Sequence, residues 1–130
     1  MSQTKAQLVS GITVSGSTNE FAFNGGPLFE KCTVTAGKLS DNTNIDLANG
    51  NTHLFTTQET TTSTPNIRVD SSTSLNSVMA IGETIAVTIV TTAAAAGYSA
   101  QLTIDGSNVT ENWVGGSAPD SGGSSGVDIL

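Results

Sequence analysis

The chain has 130 residues, of which 36% are hydrophobic and only 12% are charged, and its net charge is −7. This length fits one domain with an arm and excludes two full hydrophobic cores. The four cations are scattered and build no basic patch, so the sequence predicts no nucleic-acid partner. Abundant Thr, Ser, Asn and Gly with few charges favour an all-β fold.

Residues 1–26 predict an extended N-terminal arm. Its apolar residues are separated by Gly and Ser, a spacing that suits a segment lying along a neighbour rather than forming its own core. Three of them, Leu8, Phe21 and Phe23, are predicted anchors in an interface or core. The arm lacks the hydrophobic stretch of a signal peptide, and no apolar run in the chain reaches the length of a membrane span, so no membrane partner is predicted.

Residues 27–130 predict one antiparallel β-sandwich of jelly-roll type. The predicted strands are 29–35, 43–47, 53–57, 66–69, 83–92, 98–104 and 109–114. Cys32 lies in the first of them, where we expect a small buried hydrophobic residue. Asn49 and Gly50 predict a type I′ hairpin turn. The last apolar segment, 127–130, leaves two alternatives open: a short strand docked on a sheet edge, or a domain that continues beyond this chain.

At most one short helix is predicted, over residues 75–79. Leu75, Val78 and Met79 recur at helical spacing. A hydroxyl from residues 72–74 suits the N-cap, and Gly82 suits the end of the helix.

The sequence predicts no catalytic, cofactor-binding or metal-binding residues, and therefore no enzyme. His53 is the only histidine. Residues 41–46 alternate oxygen-bearing side chains but lack the glycine and the distal Glu of a calcium loop. Residues 122–126 match Gly-x-Ser-x-Gly but lie in a Gly/Ser loop instead of between a strand and a helix.

Trp113 allows two interpretations. A lone Trp beside two glycines is typical of a plug in a core or subunit interface, and we expect Tyr98 to be a further anchor of this kind. Alternatively, an exposed Trp113 stacks on a sugar ring of a host glycan. The few other aromatic residues favour the plug.

Four segments and the N-terminus resemble virion structural proteins of tailed phages, especially cyanophages. The matching segments are SLNSVM at 74–79, GETIAV at 82–87, IDGS at 104–107, WVGGSAP at 113–119 and the opening MSQTKAQLV. The resemblance implies a non-enzymatic component of the virion exterior, either a capsid decoration (cement) protein or a tail-appendage subunit, assembled in the host cytoplasm. Its implied partners are other virion proteins of the capsid or tail.

Two other functions stay open at this stage. One is a fibre module that binds a host receptor or glycan. The other, less favoured, is an envelope-degrading tailspike-type enzyme, which would need folding to bring carboxylates such as Glu83, Asp105 and Glu111 together. The small hydrophobic fraction and the arm predict in addition that the chain associates with itself, as a homotrimer.

Overall fold

The computed structural model describes residues 30–130 and the backbone of two short strands before them, Ile12–Val14 (β1) and Phe21–Phe23 (β2). β1 and β2 pair antiparallel, with Ile12 opposite Phe23. Leu8 lies outside the described residues, and Phe21 and Phe23 are described only as backbone positions of β2. The anchoring role of the arm therefore stays a prediction.

The described residues confirm the all-β class. Eight further strands follow: Cys32–Thr35 (β3), Asn44–Asp46 (β4), Thr52–Gln58 (β5), Asn66–Arg68 (β6), Thr88–Thr92 (β7), Thr103–Ile104 (β8), Ser107–Asn108 (β9) and Val127–Ile129 (β10). The helical segments of residues 30–130 are two 3₁₀ turns, Leu47–Asn49 and Leu75–Ser77. None of the helices described here is long and apolar enough to cross a membrane.

Strands β3 to β10 form two sheets of four strands. Sheet I has the order β10-β7-β5-β3, and sheet II has the order β4-β6-β8-β9. Consecutive strands from β3 to β8 alternate between the sheets, and within each sheet they pair in parallel. The chain therefore winds as a short coil of three turns, each contributing one strand to each sheet.

The prediction of antiparallel pairing is wrong for these six strands. In sheets I and II, antiparallel pairing is limited to the two added strands. β9 pairs with β8 in sheet II, and β10 pairs with β7 in sheet I. The predicted hairpin at Asn49-Gly50 is a 3₁₀ turn that carries the chain from β4 in sheet II to β5 in sheet I. Gly50 has φ of 117°, and a Cβ there would come within 2.3 Å of the Lys31 carbonyl oxygen. A two-residue hairpin turn occurs instead at Asp105-Gly106, where both residues have positive φ.

The parallel register of sheet II places similar residues beside one another on adjacent strands. Ile45, Ile67 and Ile104 occupy one row. In the next row, the Asn66 amide donates to Asn44 Oδ1 at 2.9 Å, and the Thr103 hydroxyl donates to Asn66 Oδ1 at 3.1 Å. These side-chain bonds tie the three turns of the coil together.

The core lies between the two sheets. Its buried members are Ile45 and Ile67 of sheet II, Phe55 and Ile89 of sheet I, and Leu39 and Leu75 of the connections. Buried and more exposed residues alternate along β4, β6, β7 and the first four residues of β5, as expected when one face of each sheet covers a core.

The predicted two-turn helix is a single 3₁₀ turn, and its cap differs from the prediction. The Ser74 side chain makes no capping hydrogen bond. Instead, the Asp105 carboxylate accepts hydrogen bonds from the amides of Leu75 and Asn76 at 2.7 and 2.9 Å. A distant carboxylate supplies the acceptor that a local hydroxyl was expected to supply.

The later predicted strands are shorter than expected. Segment 83–92 is a strand only at β7, which is central in sheet I. Segment 98–104 contains β8 and a single bridge between Ser99 and Ser63. Segment 109–114 forms no strand. The final apolar segment contains β10, which docks antiparallel on β7.

We expect Ile67→Ala to lower the free energy of unfolding by about 2–5 kcal/mol, because Ile67 is 6% exposed at the centre of its row. Urea unfolding measures the change. Ile81→Ala is the control, since Ile81 is fully exposed and its loss should change stability by less than about 0.5 kcal/mol. Equal losses in the two variants would contradict the stacked core.

Candidate functional site: an apolar sheet face and an aromatic groove

An apolar row crosses the outer face of sheet I. It consists of Val34, Leu54, Val90 and Ile129, which are aligned by the strand register. Val34 and Ile129 are 62% and 68% exposed, and the two central residues are half-buried. The neighbours of Leu54 along β5 point the other way into the core, so the row is a consequence of strand alternation. We call these four residues the apolar row.

The apolar row runs from one edge of sheet I to the other. β3 and β10 are the outermost strands of the sheet, and within the described part of the chain neither has a second neighbouring strand. An exposed apolar surface that reaches open strand edges favours association with another chain.

Cys32 lies beside the apolar row, and the prediction that it is buried is wrong. The alternation that places Cys32 on the same face as Val34 is correct. That face is the outer one, however, and Cys32 is an exposed free cysteine. Alternation identifies the two faces of a strand but does not say which one covers the core.

A second feature is a groove of about 510 Å³ lined by both Tyr98 and Trp113. The structure thus brings together two residues that the sequence predicted as separate anchors. Polar groups line the same groove, namely Asn112, Ser117, Ser121 and Asp128. We call this feature the aromatic groove.

Backbone hydrogen bonds hold both aromatic residues in place. The Tyr98 carbonyl accepts from the Ser63 amide at 3.0 Å. The Trp113 carbonyl accepts from the Gly116 amide at 2.9 Å, which closes a turn. Gly115 and Gly116 have φ of 90° and 82° in this turn, so the two glycines beside the Trp shape its surroundings.

The Asp128 carboxylate joins the groove to the last loop. It accepts from the Gly123 amide at 2.8 and 3.1 Å through its two oxygens. A Cβ at Gly123 would lie 2.7 Å from Asp128 Oδ1, so a larger residue there would displace this carboxylate. The Gly-x-Ser-x-Gly segment therefore contributes a close loop contact.

An apolar cavity of about 330 Å³ adjoins the groove. Its lining includes Val87, Ile89 and Leu102, and it shares Trp113 and Leu130 with the groove. Trp113 is half-buried and does not belong to the buried core. It lines both the core-side cavity and the groove, so the plug hypothesis for Trp113 stays a prediction.

Each of the three carboxylates considered for catalysis accepts a hydrogen bond from a backbone amide. Glu83 accepts from Ala80 and Glu111 accepts from Leu102, at 2.8 and 2.7 Å, and Asp105 caps the second 3₁₀ turn. Their common role in the structure is to hold loops.

Both aspartates of the calcium-like segment 41–46 lie beside a cationic side chain. Asp46 forms an ion pair with Arg68 at 2.6 Å, which raises the pKa of Arg68. Asp41 lies 3.7 Å from the Lys38 ammonium. In the part of the chain that the structure describes, no group of three His, Cys, Asp or Glu side chains could hold a metal ion. His53 is buried, with Nε2 2.9 Å from the Gly50 carbonyl oxygen.

No protein-family profile, curated protein or solved structure matches this chain.

Leu54, Val90 and Ile129 are functional candidates that sequence reasoning missed. Leu54 and Val90 lie in predicted strands and Ile129 lies in the last apolar segment, but their alignment depends on pairing between distant segments. In β5 the apolar residues Leu54 and Phe55 are adjacent and therefore face opposite sides of the sheet. A sheet with one face in water needs apolar residues on only one side, so this pattern was the available signal for an apolar outer face.

Asp70 illustrates how a loop depends on a charged carboxylate. Its Oδ1 accepts from the amides of Ser72 and Thr73 at 2.7 and 2.8 Å. The hydrogen bond from Ser72 is the main cause that lowers the pKa of Asp70 below its ordinary value of 3.8, and Arg68 adds to the effect. Folding favours the charged form, so its contribution to stability is present above pH 3.8 and is lost as the pH falls through the lowered pKa.

We expect wild type to be more stable than Asp70→Asn near neutral pH, with the difference shrinking below about pH 4 as the wild-type carboxylate becomes protonated. Urea midpoints from pH 7 down to about pH 3 measure this difference. Asp41→Asn is the control, because it removes the same charge from an exposed side chain. A difference for Asp70→Asn that does not change with pH would contradict the assignment.

Proposed function

We propose that this chain is a non-enzymatic structural component of the exterior of a tailed-phage virion, either a capsid decoration protein or a tail-appendage subunit. It acts by self-assembly and by docking on other virion proteins. The observation that carries the self-assembly is the apolar row on sheet I.

The apolar row supports association between copies of the chain. Four aligned residues at the strand spacing of about 4.8 Å give an apolar stripe about 14 Å long. Each copy has one such stripe on a sheet face, and three copies around a three-fold axis would bury the stripes against one another. Burial stabilises an assembly by about 25 cal/mol for each Å² of apolar surface removed from water.

The segments that resemble phage virion proteins support the virion assignment because they determine shape. Asp105 of the IDGS segment caps the turn that begins at Leu75 of the SLNSVM segment. The glycines of the WVGGSAP segment close the turn beside Trp113. These segments fix the backbone of the fold, which is the role that a structural protein requires of them.

The fold can be stated more finely as part of the same proposal. Two sheets enclose one core, as in a sandwich, but parallel pairing from β3 to β8 gives a coil of three turns in place of a jelly roll. A coil with open strands at β3 and β4 suits end-to-end contact with another virion protein.

We expect Val34→Lys to abolish trimer formation without unfolding the protein, because Val34 is 62% exposed in the apolar row. Sedimentation velocity over a range of concentrations measures association, and thermal unfolding of the monomer checks the fold. Val78→Lys is the matched control, since Val78 is 57% exposed and lies outside sheet I. A wild-type protein that stays monomeric, or a Val34→Lys protein that still forms trimers, would contradict self-assembly through this face.

The virion location has a separate test. Antibodies raised against the chain and coupled to gold should label the capsid surface or the tail of purified phage particles that encode it. Label confined to the particle-free fraction of the lysate would contradict the proposal.

A further inference from the structure

We propose that the aromatic groove binds a neutral saccharide, that is, a hexose or N-acetylhexosamine without a carboxylate or phosphate group. This inference goes beyond assembly, since it assigns a ligand to a groove that shares only Ile129 with the apolar row. It rests on the side chains that meet in the groove.

The first observation is the pairing of aromatic side chains. The chain has one Trp and one Tyr, and both line the aromatic groove. The C–H face of a pyranose ring is apolar and stacks on an aromatic ring, while the Trp N–H and the Tyr O–H remain polar groups at the edge of such a site.

The second observation is the set of polar groups around the aromatic pair. Asn112 offers an amide and Ser117 offers a hydroxyl, while the Ser121 hydroxyl donates to the Gly122 carbonyl at 3.1 Å and offers an acceptor. Asp128 offers a carboxylate whose oxygens accept one amide from Gly123, which leaves lone pairs for a ligand hydroxyl. Amide, hydroxyl and carboxylate groups together match the alternating donors and acceptors of a sugar.

The size of the groove fits a small ligand. Its volume of about 510 Å³ lies within the range of about 300–1,000 Å³ that is usual for ligand sites. A site that combines apolar walls with a few convergent polar groups is typical of such pockets.

Charge selects the class of sugar. Among the described residues that line the groove, Asp128 is the only charged one, and none is Lys, Arg or His. An acidic sugar would bring a second negative charge next to Asp128 without a cation to pair with it, at a cost in free energy. The groove therefore favours neutral saccharides over uronic acids, sialic acids and sugar phosphates.

A glycan array that carries neutral and acidic sugars tests the class of ligand, and titration with the retained neutral saccharide tests the site. Trp113 is the only Trp, so its fluorescence reports directly on the groove. We expect retention of neutral glycans and a saturable change in emission with a Kd of about 1 mM or tighter, which corresponds to about 4 kcal/mol.

Variants separate the site from the fold. Asn112→Ala changes an exposed side chain and should weaken binding about fivefold or more with an unchanged melting temperature. Tyr98→Ala, in a protein shown to be folded, should weaken binding as well. Val78→Ala, outside the groove, should bind like wild type. Val34→Lys should also keep binding, because Val34 lies at the opposite edge of sheet I from β10.

Three results would overturn the proposal. The first is that no neutral glycan binds at concentrations up to about 50 mM, well above the millimolar affinities of weak ligands. The others are retention of acidic glycans alone, and equal affinity in wild type, Asn112→Ala and Tyr98→Ala. None of them would affect the assembly test at Val34.

Discussion

Parallel register in the two sheets is the constraint on which the other features depend. Ile45, Ile67 and Ile104 can form one interior row only if the neighbouring positions, Asn44 and Asn66, form the row beside it. A slip of one residue would exchange the two rows and bury the amides, because side chains alternate between the faces of a strand. The hydrogen bond between Asn66 and Asn44 favours the observed alignment further. The same rule in sheet I places Phe55 inside and the apolar row outside.

Carboxylates hold the connections of this coil, which gives the acidic composition a structural meaning. Glu59 is 3% exposed, and its carboxylate accepts from the amides of Leu39 and Ser40. Asp105 does the same for the turn at Leu75, and Asp128 does it for Gly123. Loops outside regular strands leave amides without partners, and a charged acceptor bonds them more strongly than a neutral one. In a sequence, such acidic residues can be taken for catalytic groups. In this structure, these three carboxylates hold loops and turns by accepting hydrogen bonds from backbone amides.

Local features of the fold could be predicted from the sequence, and pairing could not. Strands β3, β4 and β6 lie inside predicted segments, and β5 exceeds its segment by one residue at each end, because β-branched alternation is a local property. Strand direction depends on where each connection leads, and the Asn49-Gly50 turn leads to the other sheet. The three similar tripeptides at 44–46, 66–68 and 103–105 (NID, NIR and TID) were an available signal for stacked turns. Tyr98 and Trp113 were recognised individually, but only folding brings them into one groove.

Assembly through the outer face of sheet I is the central claim, and the native Cys32 tests it without mutation. Cys32 is exposed on β3 beside Val34 of the apolar row. The rate of maleimide labelling at Cys32 can be compared in samples diluted below the concentration of association and in samples concentrated above it. If copies associate through this face, labelling slows markedly on assembly and returns to the original rate on dilution. An unchanged labelling rate in a protein that has demonstrably assembled would show that sheet I faces solvent and would contradict the account.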